Sequence, residues 1–240
     1  MNLETFPWSV FAFLAVLCLV ALVFAIPLKT RPVYWLIAII LIASLIWLGL
    51  LLAQAIGLQA SVMTTWFSGQ PPNPRFFGWA ISLGLVVGIV LISIIRLIRT
   101  AFPQIRTRFT AELKFPIWKR LVIAFYSGVL EEIIFRLFLL SLIAWLLGRV
   151  WQTADGRPVT GAIWLSNLLA AILFGIVHLP RWSSLTRLSP GFILLIIAMN
   201  GLGGIAFGYL FVTYGIEAAI IAHFIGDSLL HIIGPNIITT

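Results

Sequence analysis

An all-α, polytopic membrane protein of about seven transmembrane helices, with an active site inside the bundle, is the fold this sequence predicts. Three observations lead there. The chain is 62% hydrophobic and 9% charged, with a mean hydropathy of +1.14, outside the range of soluble domains. Its apolar runs are spread from end to end, and seven of them reach or approach the roughly 20 residues that a spanning helix needs. None alternates with the dyad period of a barrel strand, so helices follow.

The first run, Pro7–Ala25, follows a leader, Met1–Phe6, that carries Glu4 and no basic residue. The positive n-region of a signal peptide is missing, so the run reads as a retained helix. Cys18, the only cysteine, lies within it, which leaves no intramolecular disulfide and no cysteine-based metal site. Val33–Ile56 is the second span, and Gln70–Pro74 is a proline-extended turn before the third, Phe76–Ile98. Arg99–Lys119 is the longest non-membrane stretch, basic and punctuated by Pro103 and Pro116. It fits an interfacial segment with Phe102, Ile105, Phe109 and Trp118 dipping into headgroups, or an ordinary positively charged loop. The fourth run is Ile117–Leu147, followed by a tight turn at Asp155–Pro158.

Ala162–Leu179, Phe192–Val212 and Ile216–Ile233 complete the set, the first and last of these being weakest because they carry polar residues. Gly84-x-x-x-Gly88 and Gly204-x-x-x-Gly208 read as intramolecular helix-packing patterns. Trp8, Trp35, Trp79, Trp151 and Trp182 lie toward span ends, as interfacial anchors do. Nothing suggests a separate soluble module, and residues 1–240 read as one transmembrane domain.

A net charge of +8 raises a nucleic-acid reading, but basic residues in such a chain report topology first. Assigned to the connections between spans, eleven Lys and Arg fall on odd-numbered connections and three on even-numbered ones. The positive-inside rule then puts the N-terminus outside and the C-terminus in the cytoplasm. The expected partners are membrane lipid and a peptide or protein substrate, with or without a lipid modification, and no nucleic acid.

Against this apolar background a few ionisable residues stand where they cost most. Glu131, Glu132 and Arg136 share one apolar run, His178 lies in the next but one to the end, and His223 and Asp227 in the last. A charge at bilayer depth costs about 2.5–3.5 kcal/mol on insertion scales, so it marks a partner or a cavity. Adjacent helical residues diverge by about 100°, so Glu131 and Glu132 face different ways. Glu132 and Arg136 are i, i+4 and can form a structural ion pair, leaving Glu131 for a cavity. His223 and Asp227 are also i, i+4, close enough for the carboxylate to fix the imidazole's tautomer. His231, at the C-terminal end, is read as having no such partner and is left out. Each pair alone suits a buried clamp between helices; polar residues from three spans point to one site.

Glutamate with histidine supports water activation, because a carboxylate withdrawn from bulk water is a better base. His223 could donate to an oxyanion forming on a carbonyl. Glu131, His178 and His223 are also a possible zinc ligand set, although the His-Glu-x-x-His signature is absent. No cofactor is expected, with zinc as the alternative.

These residues resemble the motifs of the CAAX-protease and bacteriocin-processing (CPBP, or Abi) family of intramembrane endopeptidases. The three motifs, Glu-Glu-x-x-x-Arg, Phe-x-x-x-His and His-x-x-x-Asn or Asp, match Glu131-Glu132-Ile-Ile-Phe-Arg136, Phe174-Gly-Ile-Val-His178 and His223-Phe-Ile-Gly-Asp227. The resemblance covers about residues 117–240; the helices within 1–116 are less family-typical. It implies a membrane protease open toward the cytoplasm, with catalytic residues Glu131, Glu132, His178, His223 and Asp227. Glu131 with His178 would activate water, and His223 with residue 227 would stabilise the oxyanion. Asp227 stands where the eukaryotic enzymes have Asn, and an ionised Asp cannot donate a hydrogen bond. Two other classes remain at this stage: a non-enzymatic scaffold or bacteriocin-immunity protein, and a transporter or proton relay.

Overall fold

The computed structural model describes residues 6–58, 61–71 and 73–240. The Met1–Phe6 leader and the Gln70–Pro74 turn therefore lie partly outside the described residues. The chain is helical: α1 (Trp8–Ala25), α2 (Pro32–Ala55), a short α3 (Met63–Phe67), α4 (Arg75–Ile98), α5 (Pro103–Glu112) and α6 (Ile117–Glu132) come first. α6 runs without a break into a π segment (Ile133–Leu140) and then α7 (Ser141–Leu147). α8 (Thr160–Val177), α9 (Leu179–Ser183), α10 (Pro190–Tyr214) and α11 (Ile216–Ser228) follow. A second π segment (Leu229–Ile233) and α12 (Gly234–Thr239) close the chain.

Among the described residues, six helical stretches are long and apolar enough to cross a membrane: Trp8–Ala25, Pro32–Ala55, Arg75–Ile98, Thr160–Ser183, Pro190–Tyr214 and Ile216–Thr239. The expected span at Ile117–Leu147 is also continuous helix, but its winding widens just after Glu132. This differs from the uniform helix the apolar pattern suggests. In a π turn the backbone bonds i to i+5, a local widening frequent at functional sites. The second π segment likewise follows directly on Asp227-Ser228. Both acid-bearing helices thus change winding beside their acids.

Small residues set how closely the helices pack around α11. A methyl at Gly84 of α4 would stand 2.6 Å from the Ala222 carbonyl oxygen, and one at Gly88 would stand 3.1 Å from that of Gly226. Gly128 of α6 faces the Phe224 amide in the same way, at 3.2 Å. α11 is therefore held backbone to backbone against α4 and α6. A methyl at Gly204 of α10 would lie 3.0 Å from Ala171 Cα, and one at Gly208 would overlap the Asn167 amide. Both glycine patterns serve packing inside the chain. The sharp passage from α10 to α11 turns on Gly215 at φ +95°, a conformation side chains disfavour. Glu217 sits just past it and accepts from the Val62 amide at 2.9 Å and from the Ser61 hydroxyl, anchoring the start of α3.

We expect Gly84→Ala to destabilise the protein by about 1–3 kcal/mol, because backbone cannot yield to the added methyl. Thermal unfolding in detergent measures this. Activity should fall with it, since α11 carries two of the motif residues.

α5 lies differently from expectation. Ile105 and Phe109 are almost fully buried against Ile95, Trp182, Phe192, Ile196 and Ile238, and Phe102 stacks on Phe192 at 5.2 Å. These side chains face protein, not headgroups, because the amphipathic face finds the bundle's own apolar end first. Trp118, at 61% exposure, stays on the surface. Arg99 donates to the Ile237 carbonyl (3.2 Å) and Arg106 to that of Thr239 (2.7 Å). They satisfy carbonyls at the end of α12 that have no helical partner.

Candidate active site

Five of the seven motif residues, Glu131, Phe174, His178, His223 and Asp227, line a single cavity of about 170 Å³. They come from three separate membrane-spanning stretches: the α6 run, the end of α8 and α11. Glu132 and Arg136 do not line it.

His223 is the hub. Its Nδ1 donates to Glu132 Oε1 at 2.7 Å, and its ring stacks on Phe207 at 4.8 Å. Nε2 faces the cavity side, 3.7 Å from Glu131 Oε2 and 3.6 Å from Asp227 Oδ2. Those two separations are beyond hydrogen-bond length. The i, i+4 spacing suggested that Asp227 orients the imidazole; Glu132, from another helix, takes the Nδ1 hydrogen bond, with Asp227 beside Nε2. Asp227 accepts from Ser127 Oγ at 2.9 Å, which holds its carboxylate beside Nε2.

Glu132 and Arg136 form the wall behind. Arg136 Nη1 is 2.9 Å from Glu132 Oε1, and both side chains are sealed from solvent, at 2% and 0% exposure. The Arg136 guanidinium lies 4.6 Å from the Phe174 ring centroid and 5.8 Å from that of Phe207. These aromatic faces meet N–H groups that find no well-aligned oxygen among the described residues. The i, i+4 pair is thus present, and it neutralises Glu132. Glu131, one residue earlier and 29% exposed, is left to the cavity.

His178 ends α8. Its Nδ1 lies 2.7 Å from the Phe174 carbonyl oxygen, which can only accept, so Nδ1 carries the proton. Nε2 then holds a lone pair. Phe174 packs edge-on against both His178 (4.7 Å) and His223 (6.0 Å), which explains its place in the motif. Among the described residues, no group of three His, Cys, Asp or Glu side chains is arranged to hold a metal ion. The bond from His223 Nδ1 to Glu132 leaves Nε2 free toward the cavity, an arrangement that a metal-ligating histidine also adopts.

The sequence left His231 without a partner, and the structure corrects this. His231 Nδ1 is 2.9 Å from Glu112 Oε2 on α5, and its carbonyl accepts from buried Arg120 at 2.9 Å. Its ring also lines the cavity. Burial alone would raise the Glu112 carboxyl, but His231, Arg108 and Arg181 together hold it below the usual carboxylate value. A depressed carboxylate stabilises the fold at neutral pH and loses that contribution as pH falls through its folded-state value. We expect His231→Ala to lower stability by about 1–3 kcal/mol at neutral pH, with a smaller loss under acid conditions. Thermal unfolding at two pH values checks it.

The fold and the cavity define an integral, multi-pass membrane protein with acid and imidazole groups gathered within its helices. Residues 113–229 match the family model described as Rce1-like, the type II CAAX prenyl endopeptidase Rce1-like proteins. That segment, 117 of the 240 residues, carries all three motifs. No curated protein and no solved structure matches the chain.

Proposed function

We propose that this protein hydrolyses a peptide bond at the membrane with a water activated by Glu131, without a metal. The observation that carries the reading is the meeting of Glu131, His178, His223 and Asp227 in one cavity.

In the proposed reaction a water sits between the Glu131 carboxylate and His178 Nε2. Nε2 accepts one of its hydrogen bonds, and Glu131 takes a proton as the oxygen attacks the substrate carbonyl. The oxyanion that forms is stabilised by a proton on His223 Nε2. Nδ1–H stays on Glu132, so this donor role needs both ring nitrogens protonated, and the surrounding carboxylates of Glu131, Glu132 and Asp227 offset that charge. Collapse of the tetrahedral species breaks the C–N bond. Glu131 returns its proton to the leaving amine, giving one acid and one amine product. Asp227 touches neither water nor oxyanion as a donor; held by Ser127, it positions His223. This resolves its departure from Asn: the oxyanion donor is the imidazole. Glu132 and Arg136 are positioning residues in the same sense.

Arg108 and Arg181, from the third and fifth connections, line the cavity. With the charge distribution, this supports a site open to the cytoplasm and an N-terminus outside. Purified protein in detergent, given a library of apolar peptides with and without chelator, tests the proposal. Cleavage insensitive to chelator is expected. No cleavage by well-folded protein, or cleavage lost to chelator and restored by zinc, would contradict it.

A further inference from the structure

The cavity has a second polar feature that hydrolysis does not use. Away from His223, Arg108 of α5 and Arg181 of α9 both line it. Arg108 lies over the Trp182 ring at 4.4 Å, and its side chain is only 16% exposed. Its nearest carboxylate oxygen, Glu112 Oε1, is 3.6 Å from Nε, too far for a hydrogen bond. The other Glu112 oxygen is already taken by His231. Arg108 meets Glu112 only through this long contact at Nε, and among the described residues Arg181 has no carboxylate within ion-pair distance. Burial, and then the neighbouring Arg181, bring the Arg108 guanidinium down to about 10 against the pull of Glu112. Two cations therefore share one carboxylate on a half-sheltered wall.

The rest of that end is apolar, with Ile105, Phe109, Leu195, Met199 and Leu230. Glu112, the carboxylate beside Arg108, bonds His231, eight positions past His223 on the same helical run. A molecule reaching from His223 to this wall must be apolar in its middle and anionic where it meets Arg108. A guanidinium fork matches a carboxylate in two parallel hydrogen bonds. Arg108 and Glu112 lie just before the family-matched segment, residues 113–229, and Arg181 lies within it.

We propose that Arg108 and Arg181 form a subsite for a carboxylate of the peptide substrate and so select which peptides enter. This rests on the protease reading, but its test is separable. Glu131→Gln protein, which should hold peptide uncut, is placed in phosphatidylcholine nanodiscs. It is offered three sets of apolar heptapeptides: free C-terminal carboxylate, C-terminal amide, and amide with one internal Asp. Retention is read by mass spectrometry. A carboxylate-bearing set should be retained about tenfold better than the neutral set, and which one tells chain end from side chain. Arg108→Gln with Arg181→Gln should bring the ratio to near one, while Arg108→Lys keeps part of it.

Equal retention of all sets, or a preference that survives the double substitution, would overturn the proposal. So would a preference abolished by adding phosphatidylglycerol, which would give the site to lipid phosphate. Hydrolysis of the same library by the unsubstituted protein is scored separately. The subsite can thus fail with proteolysis intact, or proteolysis can fail with the preference intact.

Discussion

Glu131→Gln is expected to lower hydrolysis by about 10²–10⁴-fold while leaving the protein folded and able to bind peptide. The amide keeps the size of the carboxylate but cannot take a proton from water. Its structural cost should be small, because Glu131 is 29% exposed and its only close polar neighbour is His223 Nε2 at 3.7 Å. A fall in kcat with little change in KM is the pattern expected when a group acts only in the transition state. His178→Ala should reduce the rate less, since it removes one acceptor for the water and leaves the base. A Glu131→Gln protein cleaving at the original rate would show that another group activates water.

Arg136→Leu is expected to act oppositely, on stability first. Glu132 is fully buried and Arg136 is its ion-pair partner at 2.9 Å. Removing the cation leaves a carboxylate in a dry interior with His223 as its remaining partner, a loss of about 3–5 kcal/mol. Adding Glu132→Leu should restore much of that stability, because a buried ion pair replaced whole by apolar side chains is often neutral or better. The double variant should nonetheless be inactive. His223 Nδ1 would lose its acceptor, and the imidazole its fixed tautomer and aim. Thermal unfolding and peptide cleavage, measured on both variants, separate the two effects. A double variant that unfolds as readily as Arg136→Leu would show that the cost is packing and not charge.

The sequence made the helical fold and the motif residues legible for one reason: charges in an apolar run are costly, so each one counts. The Glu132–Arg136 pair followed from i, i+4 spacing, and so did the release of Glu131 toward the cavity. Spacing was incomplete at His223, because it ranks neighbours on the same helix above those arriving from another. Glu132, 91 positions from His223 in the chain, takes the hydrogen bond instead. His231 was passed over for the same reason, its partner Glu112 being 119 positions away. A usable signal existed there: Glu112 sits four residues after Arg108 on a basic stretch poor in acids. The π segments carried no signal, since helix widening depends on packing that residue pattern does not encode. α5 looked like a membrane-surface helix because its apolar side chains could as well meet lipid as Trp182 and Phe192.

The most direct measurement is cleavage by metal-stripped protein in ¹⁸O-labelled water containing hydroxylamine, with the products weighed by mass spectrometry. If Glu131 drives water straight onto the carbonyl, the new carboxylate carries one ¹⁸O and no hydroxamate forms. Hydroxamate product would reveal an acyl-enzyme, and silence until zinc is returned would reveal a metal; either contradicts the account.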